Sequence, residues 1–151
     1  MKRYVMLAPT WLVGKKTRLR ALEAEDVPFF KRCRLAIDPQ AWGFVVQALD
    51  GVDLGVLAVL VDGPHAAIAI GFVDGIRYAD GSAADALRVI CRGLPRAMPV
   101  QRIEALVDAS ASSSIEAHRK AGFQHEGVLR EVLHESDAYR DAVIMSVLVD
   151  G

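Results

Sequence analysis

Short stretches of period two alternate along the chain with stretches of period three to four, so strands and amphipathic helices follow one another. Thr17-Arg18-Leu19-Arg20-Ala21-Leu22 sets polar against apolar at every second position, the mark of a half-buried strand. An acidic start at 23–26 predicts a helix with Pro28 in its first turn. Val27, Phe30, Cys33 and Ile37 lie along one face of it, and Asp38-Pro39 is its stop. Residues 42–48, 54–61 and 65–73 predict three strands, turned at Leu49-Asp50-Gly51 and at Asp62-Gly63-Pro64. The last of these is apolar nearly throughout, as a strand covered on both faces should be.

After a loop over 74–81, residues 82–94 predict a helix with Ala83, Leu87, Ile90, Cys91 and Leu94 on one face and Arg88 and Arg92 on the other, closed by Pro95. Residues 102–107 predict a strand and 112–121 a helix stopped by Gly122; 124–135 and 141–149 predict a hairpin about Ser136-Asp137. The order β-α-β-β-β-α-β-α-β-β is α+β: a central mixed, mostly antiparallel sheet with helices on both faces.

At 151 residues, with 52% hydrophobic and 25% charged positions, the chain is expected to form a single domain over 1–151. A net charge of −1, without a basic stripe, argues against nucleic-acid or membrane-surface partners. Residues 4–13 are apolar, but Pro9 and Thr10 interrupt them and no small-residue cleavage site follows. No run reaches the ~18 apolar residues of a membrane span. A soluble, cytoplasmic protein is expected. Cys33 and Cys91 lack metal-ligand spacing, so no metal is expected; Cys91, among Val89, Ile90 and Leu94, reads as an inert buried thiol.

The second half carries the most specific pattern. It runs from a strand at 102–107 through a serine run to a helix ending Lys120-Ala121-Gly122-Phe123, then Glu126-Gly127-Val128-Leu129-Arg130 and Tyr139-Arg140-Asp141. Joined to Trp11-Leu12-Val13-Gly14, Arg18-Leu19-Arg20 and Asp26, it resembles the acetyltransferases of the GNAT superfamily, and within them the branch that includes the ribosomal-protein N-terminal acetyltransferases. The resemblance implies a GNAT-like fold, acetyl-CoA as cofactor, and transfer of its acetyl group to a primary amine by direct attack. The acceptor would be a small molecule or a peptide N-terminus.

Four features carry the implied chemistry. Small residues in Asp80-Gly81-Ser82-Ala83-Ala84 allow a nest of N–H groups at a helix N-terminus, which suits a diphosphate, although taken alone the same residues are simply a helix cap. The resemblance assigns coenzyme A pyrophosphate to Gly81, Ser82, Ala83 and Ala84. Tyr78 stands at the position usually Gln or Arg, Arg77 comes one residue early, and the Asp80 carboxylate would repel the ligand. The resemblance also splays the strand ending at Phe72 and Val73 from its neighbour, so that pantetheine fills the gap and free N–H groups polarise the thioester carbonyl. Otherwise this is an ordinary central strand.

Third, Ser114 would sit near the cofactor sulfur and protonate the leaving thiolate, while Ala111 replaces the usual Asn. The three serines serve equally as helix caps. Arg119 and Lys120 would reach the adenosine phosphate, or are exposed charges near a helix end. Fourth, Leu133 stands where some relatives place a general-base glutamate. Glu131 and Glu135 share its face by alternation and His134 points the other way; each is a candidate base or a solvated edge-strand charge.

The base matters less for some acceptors. An α-amino group of pKa about 7.7–8.0 is about one-tenth neutral at pH 7, whereas a lysine near ~10.4 is less than a thousandth neutral. The segment 33–42 is too short for the second helix that usually covers the acceptor, so either the pocket is open or a homodimer partner or the hairpin tip at 137–139 closes it. The departures at Tyr78, Asp80, Ala111 and Leu133 also fit another class: a catalytically silent GNAT-like domain that binds, regulates or assists.

Overall fold

Seven strands form a single sheet: β1 (Thr17–Ala21), β2 (Trp42–Ala48), β3 (Asp53–Asp62), β4 (His65–Phe72), β5 (Arg102–Asp108), β6 (Gln124–Glu135) and β7 (Ala138–Leu148), in the spatial order β1-β2-β3-β4-β5-β7-β6. The computed structural model describes residues 12–35 and 38–149, so the expectations for Trp11, Ile37 and residues 4–11 fall outside it. β1 to β4 run antiparallel, and tight turns join β2 to β3 and β3 to β4, for which Gly51 and Gly63 adopt φ of +96° and +59°. β4 and β5 are parallel; the remaining pairs are antiparallel. The expected mixed, mostly antiparallel sheet is therefore present.

Alternation of side chains sorts two cores onto the two faces. Val45, Val56 and Ala58 pack with Leu22 and with Phe30 and Cys33 at helix α1 (Val27–Arg32). Their neighbours Val46, Leu57 and Val59 point the other way. They pack with Leu19 and with helices α3 (Ser82–Ala97) and α4 (Ser112–Lys120), through Leu87, Ile90 and Ala117. Helices thus cover both faces, as the sequence predicts.

Three element boundaries differ from the sequence expectation. The first helix is a 3-10 turn at Ala24–Asp26 followed by only six α-helical residues, ending before Arg34 at φ +57°. Residues 74–81 are not all loop, since a one-turn helix α2 (Ile76–Ala79) lies within them. The helix at Ser82 continues through Pro95 to Ala97. Proline forfeits one hydrogen bond, but the Met98 N–H still reaches the Leu94 carbonyl at 3.0 Å, so the final turn survives.

Two carboxylates tie the N-terminal strand to the helices. Asp26 accepts both guanidinium nitrogens of Arg20, at 2.7 and 2.8 Å, and the N–H of Glu23 at 2.8 Å. Asp85, buried in the first turn of α3, accepts the N–H groups of Lys15, Lys16 and Thr17 and the Thr17 hydroxyl, at 2.7–3.1 Å. A Cβ on Gly14 would lie 2.4 Å from Oδ2 of Asp85, so that residue must be glycine for the chain to wrap the carboxylate. This clasp sets the start of α3 against β1. Among the described residues, no helix is long and apolar enough to cross a membrane.

Candidate active-site cleft

The parallel ladder between β4 and β5 is short. His65, Ala66 and Ala67 pair with Arg102, Ile103 and Glu104, and no further register is made. β4 meanwhile stays on β3 as far as Phe72 opposite Gly55. The two strands therefore part from Ile68 and Ala105 onward. The Val73 N–H donates to the Leu54 carbonyl on β3 at 3.4 Å. Successive peptide groups of a strand face opposite edges, so Ile70 and Phe72 direct theirs to the open side. The Tyr78 hydroxyl accordingly donates to the Ile70 carbonyl from that side, at 3.4 Å.

This opening is a cleft of about 1000 Å³, with Ile70 and Phe72 on one wall, Ala105 and Val107 on the other, and Tyr78, Ser114 and His118 across it. Cys33, Arg34 and Leu35 also line it; a Cβ on Gly71 would come within 2.6 Å of the Cys33 carbonyl, and the bare glycine lets that segment approach. Of the two strand residues expected at the cofactor, Phe72 lines the cleft and Val73 does not: its N–H is engaged by β3 and its side chain is exposed, while Ile70 lines the cleft beside Phe72.

The start of α3 lies beside α2. Gly81 adopts φ +93°, which swings the chain into the helix. The first intrahelical acceptor is the Gly81 carbonyl, bonded by Asp85 N–H at 3.0 Å, so the N–H groups of residues 82, 83 and 84 have no helical partner. Asp80 takes one of them, accepting from Ser82 N–H at 2.8 Å, and pairs its other oxygen with Arg77 at 2.9 Å. No described residue accepts from Ala83 or Ala84 N–H. Lys16 donates to the Asp80 carbonyl at 2.7 Å, adding a cation the sequence reading did not identify. Burial raises the Asp80 pKa, but the hydrogen bonds from Ser82 and Arg77 outweigh it and leave the carboxyl below its usual range.

On α4, Ser114 faces the cleft, and Arg119 does not: it pairs with Glu116 at 3.0 Å on the exposed side of the helix. Burial pushes the Tyr78 phenol above its usual range, while a hydrogen bond with the Ser114 side chain works against that. One turn beyond Ser114, His118 is buried, with Nδ1 2.7 Å from the Ser114 carbonyl and its ring edge-on to Phe123 at 5.3 Å. Desolvation lowers its pKa, partly offset by that hydrogen bond. The sequence reading missed His118, although its spacing of four from Ser114 places both on one helix face.

The hairpin departs from simple alternation. Leu129 opposes Ala142 and Leu133 opposes Arg140, so three residues of β6 stand against one of β7. In this bulge Glu131 sits at φ +53° and donates its N–H to Asp141 at 2.9 Å. The predicted sharing of one face by Glu131, Leu133 and Glu135 therefore fails. Leu133, His134 and Glu135 line the cleft together with Arg140, and Glu131 does not. His134 rests against the Tyr139 ring, with centroids 4.8 Å apart.

Both thiols are raised by burial, Cys91 to about 12, which keeps them protonated and inert. Among the described residues no three His, Cys, Asp or Glu side chains gather as metal ligands.

The sequence matches no family model and no curated protein. Solved structures do match. A GNAT-family acetyltransferase from Bacillus anthracis aligns over 91% of this chain and 97% of its own, at 13% identity and a TM-score of 0.74. A protein from Vibrio cholerae assigned as a ribosomal-protein-serine acetyltransferase aligns over 91% and 97%, at 14% identity and a TM-score of 0.72. A spermidine/spermine N-acetyltransferase from Vibrio cholerae aligns over 88% and 92%, at 19% identity and a TM-score of 0.68.

Proposed function

Starting from a chain with the GNAT fold, we propose that this protein is an acetyl-CoA-dependent N-acyltransferase that transfers an acetyl group to a primary amine. The observation that carries this reading is the parting of β4 from β5, which leaves the Ile70 and Phe72 peptide edges on a cleft of about 1000 Å³ beside Ser114. Bound acetyl-CoA would supply an activated thioester. The chain's own residues hold and orient it. Ala83 and Ala84 offer free N–H groups at a helix N-terminus, with Lys16 and Arg77 nearby, to a diphosphate. The open edge of β4 offers N–H groups to pantetheine and to the thioester carbonyl. Ser114 serves the departing sulfur.

The acceptor, a small molecule or a peptide N-terminus, is held neutral on the side of Arg34, His134 and Glu135 and attacks directly. Positioning supplies much of the rate for an amine that is already partly neutral at pH 7. We read the chain as one cytoplasmic domain, with a homodimer partner or the hairpin tip covering the acceptor side.

A second reading rests on Asp80, whose carboxylate occupies the Ser82 N–H and Arg77 that a diphosphate would use. On that reading the domain is catalytically silent and binds or regulates a partner. Calorimetry with acetyl-CoA and with free coenzyme A separates the two. Micromolar binding, weakened by Gly81→Glu at the left-handed position, supports the enzyme; absence of heat and of thermal stabilisation at millimolar cofactor leaves the silent domain.

A further inference from the structure

His118 is the buried titratable group that the mechanism above leaves idle. Its Nδ1 lies 2.7 Å from the Ser114 carbonyl. A carbonyl only accepts, so Nδ1 is the protonated nitrogen and Nε2 of the neutral ring carries a lone pair. Nε2 has no partner among the described residues, yet no buried side-chain nitrogen or oxygen among them is left unsatisfied. It must therefore touch solvent, and the surface that His118 lines is the cleft.

The ring cannot swing away. It is 3% exposed, packed edge-on against Phe123, and anchored to its own helix by the Nδ1–H bond. A fixed lone pair thus looks into the cleft one helical turn from Ser114.

Resting on the acyltransfer reading, we propose that His118 is the proton relay of this cleft, taking the proton that the acceptor amine releases and returning it to the departing sulfur through the same Nε2. The balance is closed. The amine nitrogen forms the new C–N bond and gives up one proton to Nε2. The C–S bond breaks with its electron pair on sulfur, and the proton on Nε2 passes to that thiolate, restoring the neutral ring. No oxidant or further co-reactant is needed. Ser114, which lines the same cleft, then orients rather than protonates the sulfur. This supplies the base that neither Leu133 nor the displaced Glu131 provides.

Other titratable and charged groups share the cleft: Tyr78 and Cys33 near the β4 wall, Asp108 with Arg140, and His134 with Glu135 on the hairpin, beside Arg34. The test must therefore isolate His118. His118→Phe keeps an aromatic ring against Phe123 and removes both nitrogens; His118→Gln keeps a donor. Both are expected to bind coenzyme A as wild type does, while kcat falls about a hundredfold with little change in KM. The acid limb of the kcat profile should lose the component due to protonation of the relay in both and keep only that of the acceptor amine.

Nitrogen-15 NMR of the wild-type protein without ligand gives an independent readout, expected to find Nδ1 protonated and Nε2 bare at pH 7. An Nε2–H tautomer, or two folded variants turning over within threefold of wild type, overturns the relay while leaving the acyltransferase intact. If neither variant folds, the wild-type tautomer decides. A wild type that neither binds coenzyme A nor releases thiol overturns the acyltransfer reading, and the relay with it.

Discussion

Single carboxylates decide much of this molecule, and two of them do opposite things at the same helix. Asp85 is wrapped by three backbone N–H groups and a hydroxyl. Asp85→Ala would strand those donors and should cost on the order of 3 kcal/mol, measured by denaturant melting. Burial raises the Asp85 pKa, but the bonds from the Thr17 hydroxyl and the N–H groups of residues 15–17 prevail and hold it below its usual range. Its stabilising effect is therefore complete above the unfolded pKa of about 3.9 and is lost as pH falls through the lower, folded value. Wild type should lose Tm more steeply than Asp85→Asn from about pH 5 down to pH 2.

Asp80, by contrast, spends a helix N–H and an arginine on itself. On the acyltransferase reading, Asp80→Ala should tighten coenzyme A about tenfold, equivalent to ~1.4 kcal/mol, at a small cost in Tm. Unchanged or weaker affinity by calorimetry would show that the diphosphate does not meet this carboxylate. The acidic residue was visible in the sequence as a misfit; its pairing with Arg77 and Ser82 was not, because that depends on the turn of α2.

At the scale of elements, regular strands were readable and irregular ones were not. The period-two pattern of 17–22 and the turn residues Gly51, Gly63 and Gly122 place β1, β3, β4 and the end of α4 to within a residue or two. Where a strand bulges, alternation loses its phase: three residues of β6 opposite one of β7 move Glu131 out of the cleft and leave His134 and Glu135 along it. No local pattern announces this, since the side chain of Asp141, distant in sequence, holds the Glu131 N–H. Glu131→Gly relieves a left-handed backbone at a non-glycine residue. It should stabilise the fold by up to about 1 kcal/mol, read as a raised Tm, and leave turnover within twofold. A tenfold loss of turnover would return Glu131 to the site.

The whole molecule adds what no element holds alone. β4 is apolar enough to be central, and it is central only along part of its length. In hydrogen exchange, the Ala66 amide should be protected by the β5 ladder, whereas the Ile70 and Phe72 amides should exchange much faster until acetyl-CoA is added, on the acyltransferase reading. Equal protection of all three in the free protein would mean that the strands do not part in solution.

The sequence by itself determined the order of the seven strands and of the main helices, the covering of both sheet faces and the likeness to the GNAT acetyltransferases, because burial periodicity and turn chemistry are local. Tertiary structure alone decided where β5 leaves β4, which peptide edges stay open, that Asp85 clasps the chain at residues 15–17, that Lys16 reaches the Asp80 carbonyl and that His118 lines the cleft. Most of those outcomes depend on contacts between groups far apart in the chain, such as the 68–70 residues that separate Asp85 from its donors. A pattern read one residue after another carries no record of them.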